Sequence, residues 1–290
     1  MKYEFIHRFR PQFRIGKMCR VLRVSRSGYY SWVGRPESNR TKENRVLLKA
    51  IIKIHRESRE VYGSPKITEA LPDIGLRASR NRVARLMARN GVKSKVKRKF
   101  KVTTNSDHKL PISPNLLNQN FQVDVSGHIL VSDITYIRTG EGWLYLTTII
   151  DLFNRKVVGW SMSKRMTAEL TTIAALKQYV KHYSPAHGVI FHSDRGVQYA
   201  SDDFRKVLKK YKFVQSMSGK GNCYDNAVAE SFFKTLKTEL VYHERYWTRA
   251  QARASIFDYI ETFYNRVRKH SYLGYLSPVQ FELLTENQAA

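Results

Sequence analysis

The sequence predicts an α/β protein, a five-stranded mixed sheet flanked by helices, preceded by a small all-α, basic region of helix-turn-helix type. Three observations lead there. From about residue 122 onward, apolar runs and helical patterns follow one another as strand, strand, strand, helix, strand, helix, strand, helix, the order of a layered sheet. Between Ile15 and about residue 100 the periodicity is helical. The charge is also divided: of a formal +27, Met1 to Leu110 carries 29 Lys or Arg against 8 Asp or Glu, and the remainder 22 against 16. Such an excess calls for an acidic partner, nucleic acid first and anionic membrane second. No run reaches the roughly 18 apolar residues of a spanning helix, and the start MKYEFIHRFR lacks a signal-peptide core. Cys19 and Cys223, far apart and without companions at ligand spacing, support neither a disulfide framework nor a zinc module, so a reducing cytoplasm is the plain reading.

Taken in order, residues 1–100 form the basic helical region. IGKMCRVLRVSRSGYYSW gives a short helix with Met18, Val21 and Leu22 on one face, a break over Ser25 to Gly28, and a second, aromatic segment. The pattern suits a helix-turn-helix unit and equally an ordinary helical hairpin. From Arg40 to Ser58, Val46, Leu47, Ala50, Ile51 and Ile54 mark an amphipathic helix. Ser64 and Pro65 start another helix that Pro72 limits; Gly75 permits a turn, and Ser79 caps a helix ending at Gly91. Its inner face is Val83, Leu86 and Met87, and Arg82, Arg85 and Arg89 line another face. The following VKSKVKRKFK, which contains Lys97, Arg98 and Lys99, adds six basic residues in ten. These are the candidate DNA contacts of the region, against the alternative of a solvated charged face. Residues 101–121 lose periodicity and read as a linker.

In residues 122–290 the first three strands, LVSDITYIRT, WLYLTTIIDLF and KVVGWSMS, are joined by tight connections and form antiparallel hairpins; GVIFHSD and KFVQSMS add parallel strands between helices. Asp133 sits within the first strand, with Val131 and Ile137 on its face. A lone carboxylate there needs a cation or firm hydrogen bonds. Asp194 ends the strand GVIFHSD, where Asp-Arg-Gly is also ordinary turn chemistry. Glu230 lies 36 positions on, in a helix whose buried stripe is Val228, Ala229, Phe232, Phe233, Leu236 and Leu240. Lys237 shares its flank, roughly 10 Å along the axis. Singly each has a bland reading; together the three acids look like a metal site. Asn226 is a candidate helix cap or DNA contact, and His192 either touches DNA or packs. Gly219, Gly221 and Asn222 suggest a loop able to close over a substrate. A last helix, RAQARASIFDYIETFYNRVR, offers Ile256, Tyr259, Ile260 and Phe263 to the sheet.

The runs SDITYIRTGEGWLYLTTIIDLFNRKVVGWSMS, HSDRGVQYAS, SMSGKGNCYDNAVAESFFKTLKTEL and YNRVRKHSYLGYLSP together resemble the OrfB-type DDE transposases of bacterial insertion sequences, relatives of retroviral integrases. YGSPKITEAL and NRVARLMARNGV resemble the helix-turn-helix-like segment that precedes the catalytic domain in those proteins. The resemblance implies an RNase H-like catalytic domain over residues 122–290, with Asp133, Asp194 and Glu230 as the catalytic and metal-binding acids. It implies two Mg²⁺ ions, replaceable by Mn²⁺, and Lys237 as a DNA contact. Double-stranded DNA, both element ends and target, is the implied partner, with a homo-oligomer assembled on it and an OrfA-type partner or fusion. The implied setting is the bacterial cytoplasm, at the nucleoid. Members often carry Trp three residues before the first acid; here Leu130 stands there, as a packing neighbour. Two other readings share parts of the pattern: a structure-specific RNase H-like nuclease and a DNA-binding regulator with an inactive catalytic fold.

Overall fold

A computed structural model describes residues 1–96, 110–219 and 223–289. The chain opens with α1 (Lys2–Phe9), α2 (Ile15–Val21) and α3 (Arg26–Val33). Ser25 caps α3, its hydroxyl accepting from the Gly28 amide at 2.9 Å. Ile6, Met18, Cys19 and Tyr29 form a small core of their own. The sequence reading placed Val21 on that inner face, but it is 72% exposed, because α2 is a single short layer with only one side covered. The N-terminal α1 went unforeseen: its aromatic residues cluster with Tyr29 and Trp32, contacts made only in three dimensions.

Next come α4 (Asn39–Glu57), α5 (Ser64–Ala70) and α6 (Arg80–Arg89). Ser38 and Ser79 cap α4 and α6 through Thr41 and Arg82 amides at 3.2 and 3.3 Å. Gly75 takes φ +73°, the left-handed turn that a glycine adopts without cost. Leu47, Ala50, Ile51 and Ile54 are buried as the periodicity requires, whereas Val46, one position off the stripe, is 56% exposed.

The sheet consists of β1 (Ile129–Thr139), β2 (Gly142–Asp151), β3 (Val157–Ser163), β4 (Ile190–Ser193) and β5 (Val214–Met217), in the order β3-β2-β1-β4-β5. The β1–β2 and β2–β3 pairs are antiparallel and β1–β4 and β4–β5 parallel, the mixed sheet that the sequence predicts. Around it pack α7 (Ala174–Tyr183), α8 (Val197–Ala200), α9 (Asp202–Lys210), α10 (Ala227–Glu239), α11 (Arg249–Asp258) and α12 (Pro278–Ala289). The helix predicted to be the last is α11 continued by a wider π-helical turn, Tyr259–Tyr264, that keeps Tyr259, Ile260, Phe263 and Tyr264 all buried, and α12, which the sequence reading did not place, follows it. No described helix is long and apolar enough to cross a membrane.

Strand alternation divides the interior in two. Leu130 and Ile149 face α7, α8 and α9. Val131, Ile137, Leu144 and Leu146 face α10 and α11 in a core that also takes in Leu47, Ile51, Ile67, Val83 and Met87 of α4–α6. The helical region is thereby welded to the sheet. Lys269 on the C-terminal side donates its amide to the Tyr62 hydroxyl at 2.7 Å, and its ammonium meets Asp73 at 2.8 Å.

Residues 110–121, read as linker, are not loose. Leu117 is 3% exposed. The Met217 amide donates to the Pro114 carbonyl, and the Leu116 amide to the Ser216 hydroxyl at 2.9 Å, so this segment lies along β5.

Candidate active site

Strand register builds the site. The β1–β4 parallel ladder ends at Ser132 opposite Ser193. Asp133 and Asp194 are each the next residue on strands that run about 4.8 Å apart, so two carboxylates stand side by side where the strands part. Asp133 accepts from the Ile134 amide at 2.7 Å. Asp194 accepts from the Gly196 amide at 2.9 Å, so the turn chemistry legible in Asp-Arg-Gly is also used. A Cβ on Gly196 would stand 3.0 Å from the Asp194 Oδ1, which leaves little room for any other residue. Arg195 Nε donates to the Ser218 carbonyl at 2.7 Å.

Glu230 arrives on α10, which lies across β1. The Asn226 amide group donates to the Ser132 carbonyl at 3.2 Å and staples the helix start beside Asp133. Burial pushes the Asp133 carboxyl well above the usual carboxylate range, and the charges of Asp194 and Glu230 push it further; the Ile134 amide and Lys237 act the other way. Burial and Asp194 also raise Glu230. Lys237 is lowered by its partial burial, against the pull of Asp133. Its ammonium sits over the Tyr136 ring, 5.4 Å from the centroid. The four groups thus share one electrostatic neighbourhood. They do not form a closed cage: among the described residues no three His, Cys, Asp or Glu side chains converge to metal-ligand geometry. Glu230 projects from an exposed face of α10, as expected where three like charges repel. Beneath the acids, the buried Tyr199 hydroxyl is 2.7 Å from the Ser132 hydroxyl.

Two residues left open by the sequence are used inside the fold. His192 is 0% exposed, with Nδ1 2.8 Å from the Ser216 hydroxyl and Nε2 3.3 Å from that of Ser218, so of its two readings the geometry matches packing. Burial holds it neutral, its pKa lowered to about 4. Asn226 is 3% exposed and makes no capping bond; its Nδ2 is engaged by β1. Packing is one of the two readings the sequence offers for His192; the bond from Asn226 to β1 leaves no mark in sequence, since it depends on the strand lying opposite.

On the helical region, Arg40, Thr41, Asn44, Arg82, Arg85 and Arg89 line a pocket of about 310 Å³ between the start of α4 and the face of α6. Arg82 donates to Asn44 and Glu43, each at 2.9 Å, tying α6 to α4. Arg85 and Arg89 are exposed. Lys97, Arg98, Lys99, Gly221 and Asn222 lie outside the described residues.

A mixed sheet with paired strand-end carboxylates, joined to a basic helical unit, is an arrangement suited to nucleic-acid chemistry, and sequence comparison identifies the class. The model of the family described as Integrase core domain matches residues 125–223, a second of that description matches 230–285, and one described as HTH-like domain matches 42–100. Transposase InsF for insertion sequence IS3A, from Escherichia coli (strain K12), is 44% identical over 284 residues, covering 97% of this chain and 98% of its own. The 31 kDa protein of insertion element IS600 from Shigella sonnei is 46% identical over 274 residues, 94% of this chain and all of its own. Among solved structures, the catalytic core domain of HTLV-2 integrase in complex with magnesium aligns over 54% of this chain and 97% of its own, at 17% identity and TM-score 0.41. The chain belongs to the IS3 family of insertion-sequence transposases.

Proposed function

We propose that this transposase cleaves insertion-sequence ends and joins their 3′-hydroxyls to DNA by in-line phosphoryl transfer, with Asp133, Asp194 and Glu230 holding two Mg²⁺ or Mn²⁺ ions. The observation that carries this is the register that sets Asp133 and Asp194 on adjacent strand ends, with the start of α10 stapled against the first of them. The donor set fits: it is all carboxylate oxygen, which hard divalent cations prefer, and the mutual repulsion that raises Asp133 is what a cation relieves. When bound, such ions lower the pKa of an attacking water or 3′-hydroxyl and stabilise the leaving oxygen.

The chain's own groups do the rest. Lys237, two turns beyond Glu230 and already drawn toward Asp133, places a positive charge for a phosphate beside the acids. Tyr136 supports its ammonium. Arg85 and Arg89, with Arg40 across the pocket, contact the DNA backbone. Lys97, Arg98 and Lys99 extend that basic track in sequence. Two ends must be joined in one event, so a homo-oligomer on DNA is part of the proposal, as is an OrfA-type partner or fusion.

A strand-transfer assay with a pre-nicked element end tests the reading. Asp194→Asn and Glu230→Gln should each lose at least about a thousandfold in joining, the scale of removing a main electrostatic stabiliser of the transition state, while still binding DNA. Joining at the wild-type rate by either variant would remove the acids from the chemistry. Hydrolysis without joining would favour a nuclease.

A further inference from the structure

Five residues before Glu230, the carboxylate of Asp225 is 1% exposed. Its Oδ2 accepts from Asn115 Nδ2 at 2.9 Å and from the Gly219 amide at 2.7 Å, and its Oδ1 accepts from Gln119 Nε2 at 3.1 Å. Two of these donors come from the segment that precedes the catalytic sheet, and the third from just beyond β5. This carboxylate and its neighbour reach both acid-bearing strands. The Asp225 charge acts on the buried His192 ring, two residues from Asp194, and the adjacent Asn226 side chain holds the Ser132 carbonyl, one residue from Asp133. Asp225 and Asn226 are therefore the point where the preceding segment, β1, β4 and α10 meet. Asn115 is itself fixed, its Oδ1 accepting from the Leu117 and Asn118 amides at 3.1 and 3.0 Å.

We infer that Asn115 and Gln119, acting through the buried Asp225 carboxylate, are positioning residues that set the start of α10 and hence the placement of Glu230 against Asp133 and Asp194. The inference rests on the metal-site reading above. Asn115, Gln119 and Asp225 hold the frame around the acids. Their effect is geometric, and misplacement of a reacting group by about 1 Å costs on the order of a hundredfold in rate. A segment that reads from sequence as linker is thereby a working part of the catalytic domain, and what moves it moves Glu230.

The test uses the full chain and a reciprocal exchange. Asn115→Asp keeps the acceptor for the Leu117 and Asn118 amides but sets a carboxylate against Asp225. Adding Asp225→Asn restores a donor between the two positions. Asn115→Asp should slow strand joining about 10- to 100-fold, raise the Mg²⁺ concentration at half-maximal rate, and speed hydrogen exchange of amides 230–233, with DNA binding unchanged. The double variant should recover most of the rate, the Mg²⁺ dependence and the protection. Gln119→Glu, a milder insult, should shift the same three readouts in the same direction. Additive losses in the double variant, or slower joining without change in Mg²⁺ dependence and exchange, would overturn the inference. Hydrogen exchange needs no activity, so coupling seen there while Asp133→Asn still joins DNA would instead locate the failure in the metal-site reading.

Discussion

At the scale of single residues, Asp133 concentrates the physical tension of the site. Its side chain is pressed against protein beside two further acids, and its pKa lies well above the usual carboxylate range. A carboxyl raised in the fold holds its proton more tightly folded than unfolded. Metal-free stability should therefore fall as pH rises above about 4 toward the folded value, and Asp133→Asn should flatten that fall. Because a cation binds only the ionised, folded site, Mg²⁺ or Mn²⁺ at pH 7.5 should raise the melting temperature of the wild-type chain, by about 2.7 kcal/mol of stability at a hundredfold excess over Kd. Asp133→Asn should show no such rise in scanning fluorimetry. Equal shifts in the two proteins would exclude Asp133 as a ligand. His192 illustrates the opposite outcome. It lies two residues from an acid, where sequence leaves DNA contact and packing both open, and is consumed in packing between Ser216 and Ser218.

At the scale of elements, α6 and α10 each present a basic flank while burying the other. On α6 the three arginines differ. Arg82 is engaged by Glu43 and Asn44, and Arg85 and Arg89 are exposed. Replacing Arg85 and Arg89 with Ala should shallow the salt dependence of DNA binding by about 2 in log–log slope, one phosphate each. Arg82→Ala should instead loosen the α4–α6 contact and lower stability. An unchanged slope in the first variant would remove both residues from the interface. At the far end of α10, Glu239 is 6% exposed and receives Arg268 through bonds of 2.8 to 3.1 Å and the Tyr259 hydroxyl at 2.7 Å. Glu239→Ala strands a buried guanidinium and should cost about 3–5 kcal/mol in chemical denaturation. A cost under 1 kcal/mol would show that water reaches Arg268.

For the whole molecule, the important fact is that α4–α6 and the sheet share a core. Calorimetry should find one cooperative transition for them, with the amides of α1–α3, which keep a small core of their own, exchanging first. Two separated transitions for α4–α6 and the sheet would contradict a shared core. Lys66 lies at this junction, where burial, with the Arg268 charge assisting, lowers its pKa to about 8. A lysine lowered in the fold sheds its proton more readily folded than unfolded, so stability should rise between about pH 8 and 10.4. Lys66→Met should abolish that rise in denaturation midpoints measured across this window.

Much of this was legible in the chain itself. Two-residue alternation and helical periodicity determined the order of strands and helices that build the sheet, because those patterns reflect which side of each element faces water. The acids Asp133, Asp194 and Glu230 stand out in sequence because charge inside or beside apolar runs is costly. Tertiary structure alone decided which polar residues are used up internally: His192, Asn226 and Arg82 lose their freedom to neighbours distant in sequence. It also turned residues 110–121 from linker into a strap along β5 that holds Asp225. A hydrogen bond between positions 115 and 225 leaves no periodic mark, since it depends on the register that sets β4 and β5 beside β1 and brings α10 across them.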